Sequence, residues 1–225
     1  MKGAIFDLDG LLVDSERAYR DGWVWGFAQF GIEIPQEIVN TWGGKNWKQS
    51  FDILVQLAGS PEKVQEVRAK REKFFYEKLT TGEIQLKPYA KEVLSYLKEQ
   101  NFKLGLATTT VTERATAILN QFELMDYFDT FTFGDEVSEN KPSPVPYLTA
   151  LERTGLVADE AFAVEDSLVG ATSASRAGMG VFLIPDSSFE RNYSEKDKEN
   201  LQIIEQGKDL KIVIDFVNKK TAKNS

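Results

Sequence analysis

Two carboxylates, Asp7 and Asp9, stand one residue apart where the first apolar run of the chain, Ala4 to Phe6, comes to an end, and Gly10 follows them. At the exit of a buried strand such a pair repels, so a cation or a shared proton must hold it. Gly10 gives a sharp turn and lets the backbone approach a ligand. That set suits a metal-and-nucleophile site whose other parts come later in the chain. The sequence has no His and no Cys. Thiolate chemistry, disulfides and zinc–thiolate sites are therefore excluded. Acid–base work falls to carboxylates, Lys or Tyr, and any metal must sit on oxygen, which suits Mg²⁺.

The elements that must position these groups fall into two kinds. Residues 15–30 carry Tyr19, Trp23, Phe27 and Phe30 at helical spacing, with Gly31 as a stop. A short helix over Pro35 to Trp42 is broken by Gly43-Gly44, and a third helix carries Phe51, Leu54, Val55 and Leu57. Ser60-Pro61-Glu62 opens a fourth that runs to Leu79, with an N-cap, a Pro in the first turn and an acid beside it. Residues 15–86 thus form a small all-helical domain.

From Pro88 the pattern alternates between helix and strand. Strands are expected over Phe102 to Ala107, Phe128 to Phe133, Ala161 to Val164 and Gly180 to Ile184, with helices over 89–100, 112–123, from Pro144 to Gly155 and over 168–177. The segment 186–208 has no clear assignment, Ile212 to Val217 is apolar, and 219–225 reads as a frayed basic tail. The alternation predicts an α/β, Rossmann-like parallel sheet with helices on both faces, built from residues 1–14 and 87–225. In such sheets ligands bind at the carboxyl ends of the strands. Asp7 and Asp9, Thr108, Lys141 and the run Glu165-Asp166-Ser167 all fall there. Each has an ordinary structural role when taken singly: a turn, a strand end, a solvated lysine, a helix cap. Their convergence on one sheet edge is the signal.

The chain has 225 residues and a net charge of −8, which disfavours nucleic-acid binding. It has no apolar run near the ~18 residues of a membrane span and no secretory leader pattern. The expectation is a monomeric cytoplasmic protein with a small-molecule partner and neither nucleic acid nor membrane.

In their order and spacing, Asp7-Leu8-Asp9-Gly10, Thr108, Lys141-Pro142 and Glu165-Asp166-Ser167 resemble the four motifs of the haloacid dehalogenase superfamily. The helical insertion after the first motif resembles the cap of the subfamily containing β-phosphoglucomutase and many sugar-phosphate phosphatases. The resemblance implies a nucleophilic Asp7 that forms an aspartyl-phosphate, and an Asp9 that serves as general acid and then base. It implies Mg²⁺ held by Asp7, Asp166 and the main-chain oxygen of Asp9, with Glu165 acting through water. Thr108 and the Thr109 amide would bind phosphate, and Lys141 would neutralise charge on the transferring group. Asp9 points to phosphate esters as substrates, since dehalogenating and phosphonate-cleaving members lack an Asp there. The expected activity is hydrolysis of a small phosphorylated metabolite such as a sugar phosphate. A phosphosugar mutase is the alternative, weakened by Tyr19 standing where the mutase carries a His; a non-catalytic interaction protein on the same fold is the second. Within the cap, Lys45, Asn46 and Trp47, together with Tyr19, are the candidates for substrate selection, and Asp14 to Glu16 the hinge. Tyr89 and Asn140 stand where the family usually has Gly, and Val145 where it usually has an acid.

Overall fold

The computed structural model describes residues 1–39, 50–186 and 193–224. The chain divides into two compact units, residues 14–85 and residues 1–13 with 86–225. Among the described residues no helix is long and apolar enough to cross a membrane.

The unit 14–85 is built from α1 (Glu16–Ala28), α2 (Gln36–Val39), α3 (Phe51–Ala58) and α4 (Pro61–Thr80). The aromatic spacing of α1 gives Trp23 and Phe27 one common side, where they pack with Val39, Leu54, Val64 and Val67, and Phe30 leans on that core. Two α1 glycines permit a close helix pair. A Cβ on Gly26 would stand 3.0 Å from the carbonyl oxygen of Val67, and one on Gly22 2.9 Å from Cγ of Arg71. Ser60 caps α4 by accepting from the Lys63 amide at 3.2 Å. Ser15, within the expected hinge, has helical backbone angles and makes no capping bond to α1 with its side chain.

The other unit is a six-stranded sheet ordered β3-β2-β1-β4-β5-β6. Its strands are β1 (Gly3–Phe6), β2 (Lys103–Ala107), β3 (Thr130–Thr132), β4 (Ala161–Glu165), β5 (Gly180–Leu183) and β6 (Ile203–Gln206). All pairings are parallel. The helices are α5 (Ala90–Glu99), α6 (Thr112–Gln121), α7 (Val145–Thr154), α8 (Leu168–Arg176), α9 (Glu195–Lys198) and α10 (Lys211–Asn224). This is the expected α/β, Rossmann-like architecture. On one face Ile5, Ala163, Val181 and Leu183 meet Tyr147, Ala150 and Leu151 of α7 and Ala171 and Ala174 of α8. On the other, Phe162, Phe182 and Phe216 of α10 form successive edge-on contacts at 5.0 Å. The near-continuous apolar strands are what burial on both faces demands.

Three expectations need correction. Of the run Phe128 to Phe133 only Thr130–Thr132 pairs, after a 3₁₀ turn at Met125–Tyr127. The unassigned segment holds α9 and the edge strand β6. The supposed frayed tail is the end of α10, which continues to Asn224. Tyr89, where Gly is usual, has a φ of 65° at the start of α5, which explains the usual choice.

Candidate active site

The strand order reverses beside β1, so the crevice at the carboxyl ends of β1 and β4 is the switch point of the sheet. Register then sets the chemistry. Phe6 pairs with Leu106 on one side and Val164 on the other, so the next residues, Asp7, Ala107 and Glu165, end three neighbouring strands at one level. Side chains alternate between faces, which sends Asp7 and Glu165 to the same side as Ile5 and Ala163, toward α7 and α8.

Lys141 fills the gap they leave. Its Nζ donates to Asp7 Oδ1 at 2.6 Å, Glu165 Oε1 at 2.6 Å and the Ala107 carbonyl at 2.8 Å. Those acceptors match the three protons an ammonium carries. The side chain of α8 residue Ser173 donates to the Ser143 carbonyl at 2.5 Å, and Arg176 to that of Pro142 at 3.1 Å, which anchors the loop carrying Lys141. Burial alone would lower the Lys141 pKa, but Asp7 and Glu165 together hold it well above the usual lysine range. The Asp7 carboxyl is pushed up to about 7: burial raises it most, Lys141 pulls against that, and Glu165 and Asp9 add to the rise.

Glu165 takes a second bond on Oε1 from the Tyr147 hydroxyl, at 2.6 Å. Burial, Glu165 and Asp7 push the Tyr147 pKa well up, so it stays a donor. The other oxygen, Glu165 Oε2, is buried and has no hydrogen-bond partner among the described residues. The carboxylate rests on Gly170 of α8, where a Cβ would lie only 2.0 Å from Glu165 Cδ. Ser167 caps α8 by accepting from the Gly170 amide at 3.1 Å.

Asp7, Glu165 and Asp166 offer carboxylate oxygens within 4.8 Å of one another. Against these three acids Lys141 brings one positive charge, and one carboxylate oxygen is orphaned. A buried acceptor of this kind needs a partner, and an all-oxygen donor set suits a hard divalent cation or its water. The residues therefore fit such an ion. Gly10, with φ of 80°, lets the backbone pass close: a Cβ there would stand 2.6 Å from Asp166 Oδ2 and 3.2 Å from Asp186 Oδ2. Asp186 is itself held by Lys87 in a buried ion pair of 2.5 Å.

Asp9 is oriented from β2. Its Oδ2 accepts from Thr110 Oγ1 at 2.7 Å and stands 3.5 Å from Thr108 Oγ1. Thr108 Oγ1 in turn accepts from the Thr110 amide at 3.1 Å. The structure thus brings Asp7, Asp9, Thr108, Lys141, Glu165 and Asp166 to one sheet edge, and Thr109 lies in the same loop. Tyr19 stacks on Phe75 of α4 at 4.5 Å within the helical unit. Lys45, Asn46 and Trp47 lie outside the described residues. Thr110 and Tyr147 were missed from the sequence as positioners. Thr110 was visible only as the third member of a Thr run, and Tyr147 as one more apolar position of a helix.

Residues 4–184 match the family model described as haloacid dehalogenase-like hydrolase. The chain is 30% identical over 183 residues to the "Phosphorylated carbohydrates phosphatase" of Thermotoga maritima, covering 80% of this chain and 82% of that protein. It is 32% identical over 181 residues to the phosphoglycolate phosphatase of Yersinia pseudotuberculosis, covering 79% and 78%. Its fold matches that of CbbY from Rhodobacter sphaeroides, crystallised with phosphate, at a TM-score of 0.79 and 24% identity, over 93% of this chain and 94% of that one.

Proposed function

The chain belongs to the haloacid dehalogenase-like hydrolase family, and on that premise we propose that it is an Mg²⁺-dependent phosphatase of small phosphorylated metabolites, sugar phosphates foremost. One observation carries the reading: Lys141 grips Asp7 and Glu165 at 2.6 Å each, beside Asp166, while Glu165 Oε2 has no hydrogen-bond partner among the described residues. A nucleophile, its counter-charge and a cation site stand together. The names of the two relatives support the substrate class, since one is named for phosphorylated carbohydrates and the other for phosphoglycolate.

In this proposal an oxygen of Asp7 attacks phosphorus, the ester P–O bond breaks, and the leaving oxygen takes a proton from Asp9. Water then gives a proton to Asp9 and attacks the same phosphorus, which releases phosphate and restores the Asp7 carboxylate. The bond from Thr110 aims the Asp9 carboxyl for both proton transfers. The Thr108 hydroxyl and the Thr109 amide hold phosphate oxygens, and Lys141 offsets negative charge at the reacting centre. Asp7, Asp166 and the main-chain oxygen of Asp9 would hold Mg²⁺, with Glu165 reached through water. When bound, the ion screens the repulsion between the carboxylate and the phosphate dianion. Selection of substrate by Lys45, Asn46, Trp47 and Tyr19 rests on the sequence alone.

Phosphate release from a panel of phosphorylated metabolites, with and without Mg²⁺, tests the proposal. Turnover should need the ion and should vanish in Asp7→Asn. An Asp7→Asn protein that turns over normally would remove Asp7 as the nucleophile.

A further inference from the structure

The loop that follows β3 presses against the loop that follows β2. Gly134 donates its amide to the Thr110 carbonyl at 2.9 Å, and its own carbonyl accepts from Asn140 Nδ2 at 2.9 Å. Gly134 packs so closely on Thr109 that a Cβ would stand 2.0 Å from the Thr109 carbonyl oxygen, 2.5 Å from its carbon and 3.0 Å from its Cα. All three atoms are backbone, so no rotamer change could relieve the contact. Gly134 has no positive φ to justify it, and glycine is required here for space. Asn140 immediately precedes Lys141, and its Oδ1 is buried without a partner among the described residues. The Gly134 carbonyl accepts only from a donor, which fixes the amide with its nitrogen toward the loop. Thr110 then passes the arrangement on, through its hydroxyl on Asp9 at 2.7 Å.

We propose that Gly134, pinned by Asn140, is the positioning element for the Thr109–Thr110 backbone, and that through it the loop carrying Lys141 sets the shape of the phosphate-binding loop. Neither residue touches substrate. The inference rests on the assignment of Thr109 to phosphate. It predicts that phosphate affinity depends on Gly134 and Asn140, while affinity for the divalent ion, whose carboxylates sit at the ends of β1 and β4, does not.

The test uses the full chain and two calorimetric titrations, one with inorganic phosphate in saturating Mg²⁺ and one with Mg²⁺ alone. Gly134→Ala should weaken phosphate binding about tenfold or more, equivalent to about 1.4 kcal/mol. Asn140→Ala, which removes a tether without forcing a clash, should weaken it about threefold or more. In both variants the Mg²⁺ affinity should stay within about twofold of the parent. If Gly134→Ala does not fold, Asn140→Ala decides. Parental phosphate affinity in Asn140→Ala overturns the inference, as does an equal loss of phosphate and Mg²⁺ affinity, which general loosening would produce. Absence of phosphate binding by the parent protein overturns the phosphatase reading, and the inference with it.

Discussion

Gly170→Ala is the sharpest test of how the acid cluster is built, because two effects predict opposite signs. As a change within a helix, Gly to Ala favours folding by up to about 1 kcal/mol. Against this, the added methyl would lie 2.0 Å from Glu165 Cδ and Oε2 and 2.1 Å from Oε1. Carbon and oxygen in contact keep roughly 3.5 Å apart, so the carboxylate must retreat by more than about 1 Å. It is tied by 2.6 Å bonds from Lys141 and from Tyr147, and it cannot retreat and keep both. A hydrogen bond to a charged group contributes about 1.5–3 kcal/mol net. Losing one bond outright and stretching the other gives a loss of about 3 kcal/mol, or about 2 kcal/mol after the helix gain. For a chain of this size that lowers Tm by about 4–8 °C. Thermal unfolding followed by calorimetry, with Tyr147→Phe as the variant that loses one bond without a clash, gives the answer. A Gly170→Ala protein that melts higher than its parent would show that Glu165 does not rest on Gly170 and would refute the reasoning.

Three further predictions follow from separate features. Thr110→Val removes the 2.7 Å bond to Asp9 while keeping the side-chain shape; kcat for phosphate release should fall about 10- to 100-fold with KM within about threefold, and an unchanged kcat would deny Asp9 its positioning. Tyr89→Gly relieves a left-handed backbone at φ 65° and should stabilise the protein by about 1 kcal/mol, read as a higher urea midpoint; a lower midpoint would mean the side chain contributes more than the strain costs. Asp129 accepts from the Leu104 amide at 2.7 Å and from Lys98 at 2.9 Å; burial would raise its pKa, but these two partners outweigh it and the net shift is downward. Its stabilising contribution is therefore complete above the unfolded-state value near 3.9 and fades as pH falls through the lower folded value. Asp129→Ala should cost about 1 kcal/mol at neutral pH, with the gap to the parent narrowing below about pH 4; a gap that widened in acid would reverse the assignment.

Much of the fold was legible because the strands here are short apolar runs bounded by turn residues, and the chemistry-bearing residues sit just past them. Strand β6 escaped for the opposite reason. It is an edge strand of four residues with only Ile203 and Ile204 apolar, and it is only partly buried. The end of α10 escaped because its last residues are basic and polar, and composition there says nothing about whether a helical ladder set up by Val213 and Val217 continues. The glycines that matter most, Gly134 and Gly170, have no local sequence signature, because what forbids a side chain is an atom far along the chain or on another element.

Register is the step that strand prediction cannot supply. A run such as Ala161 to Val164 can be read as a strand from its own residues, but the level at which it ends relative to β1 depends on pairing. A slip of one residue between β1 and β4 would turn Glu165 to the opposite face from Asp7. The observed pairing of Phe6 with both Leu106 and Val164 puts Asp7, the Ala107 carbonyl and Glu165 at one height. Only then can the three protons of a single ammonium reach all three acceptors, at 2.6, 2.8 and 2.6 Å. With Lys141 and Tyr147 both on Glu165 Oε1, the other oxygen of Glu165 has no hydrogen-bond partner among the described residues, in a carboxylate that shares a cluster with Asp7 and Asp166. The meeting of Lys141 with Asp7 and Glu165 is thus a consequence of strand register, and motif content alone could not have specified it.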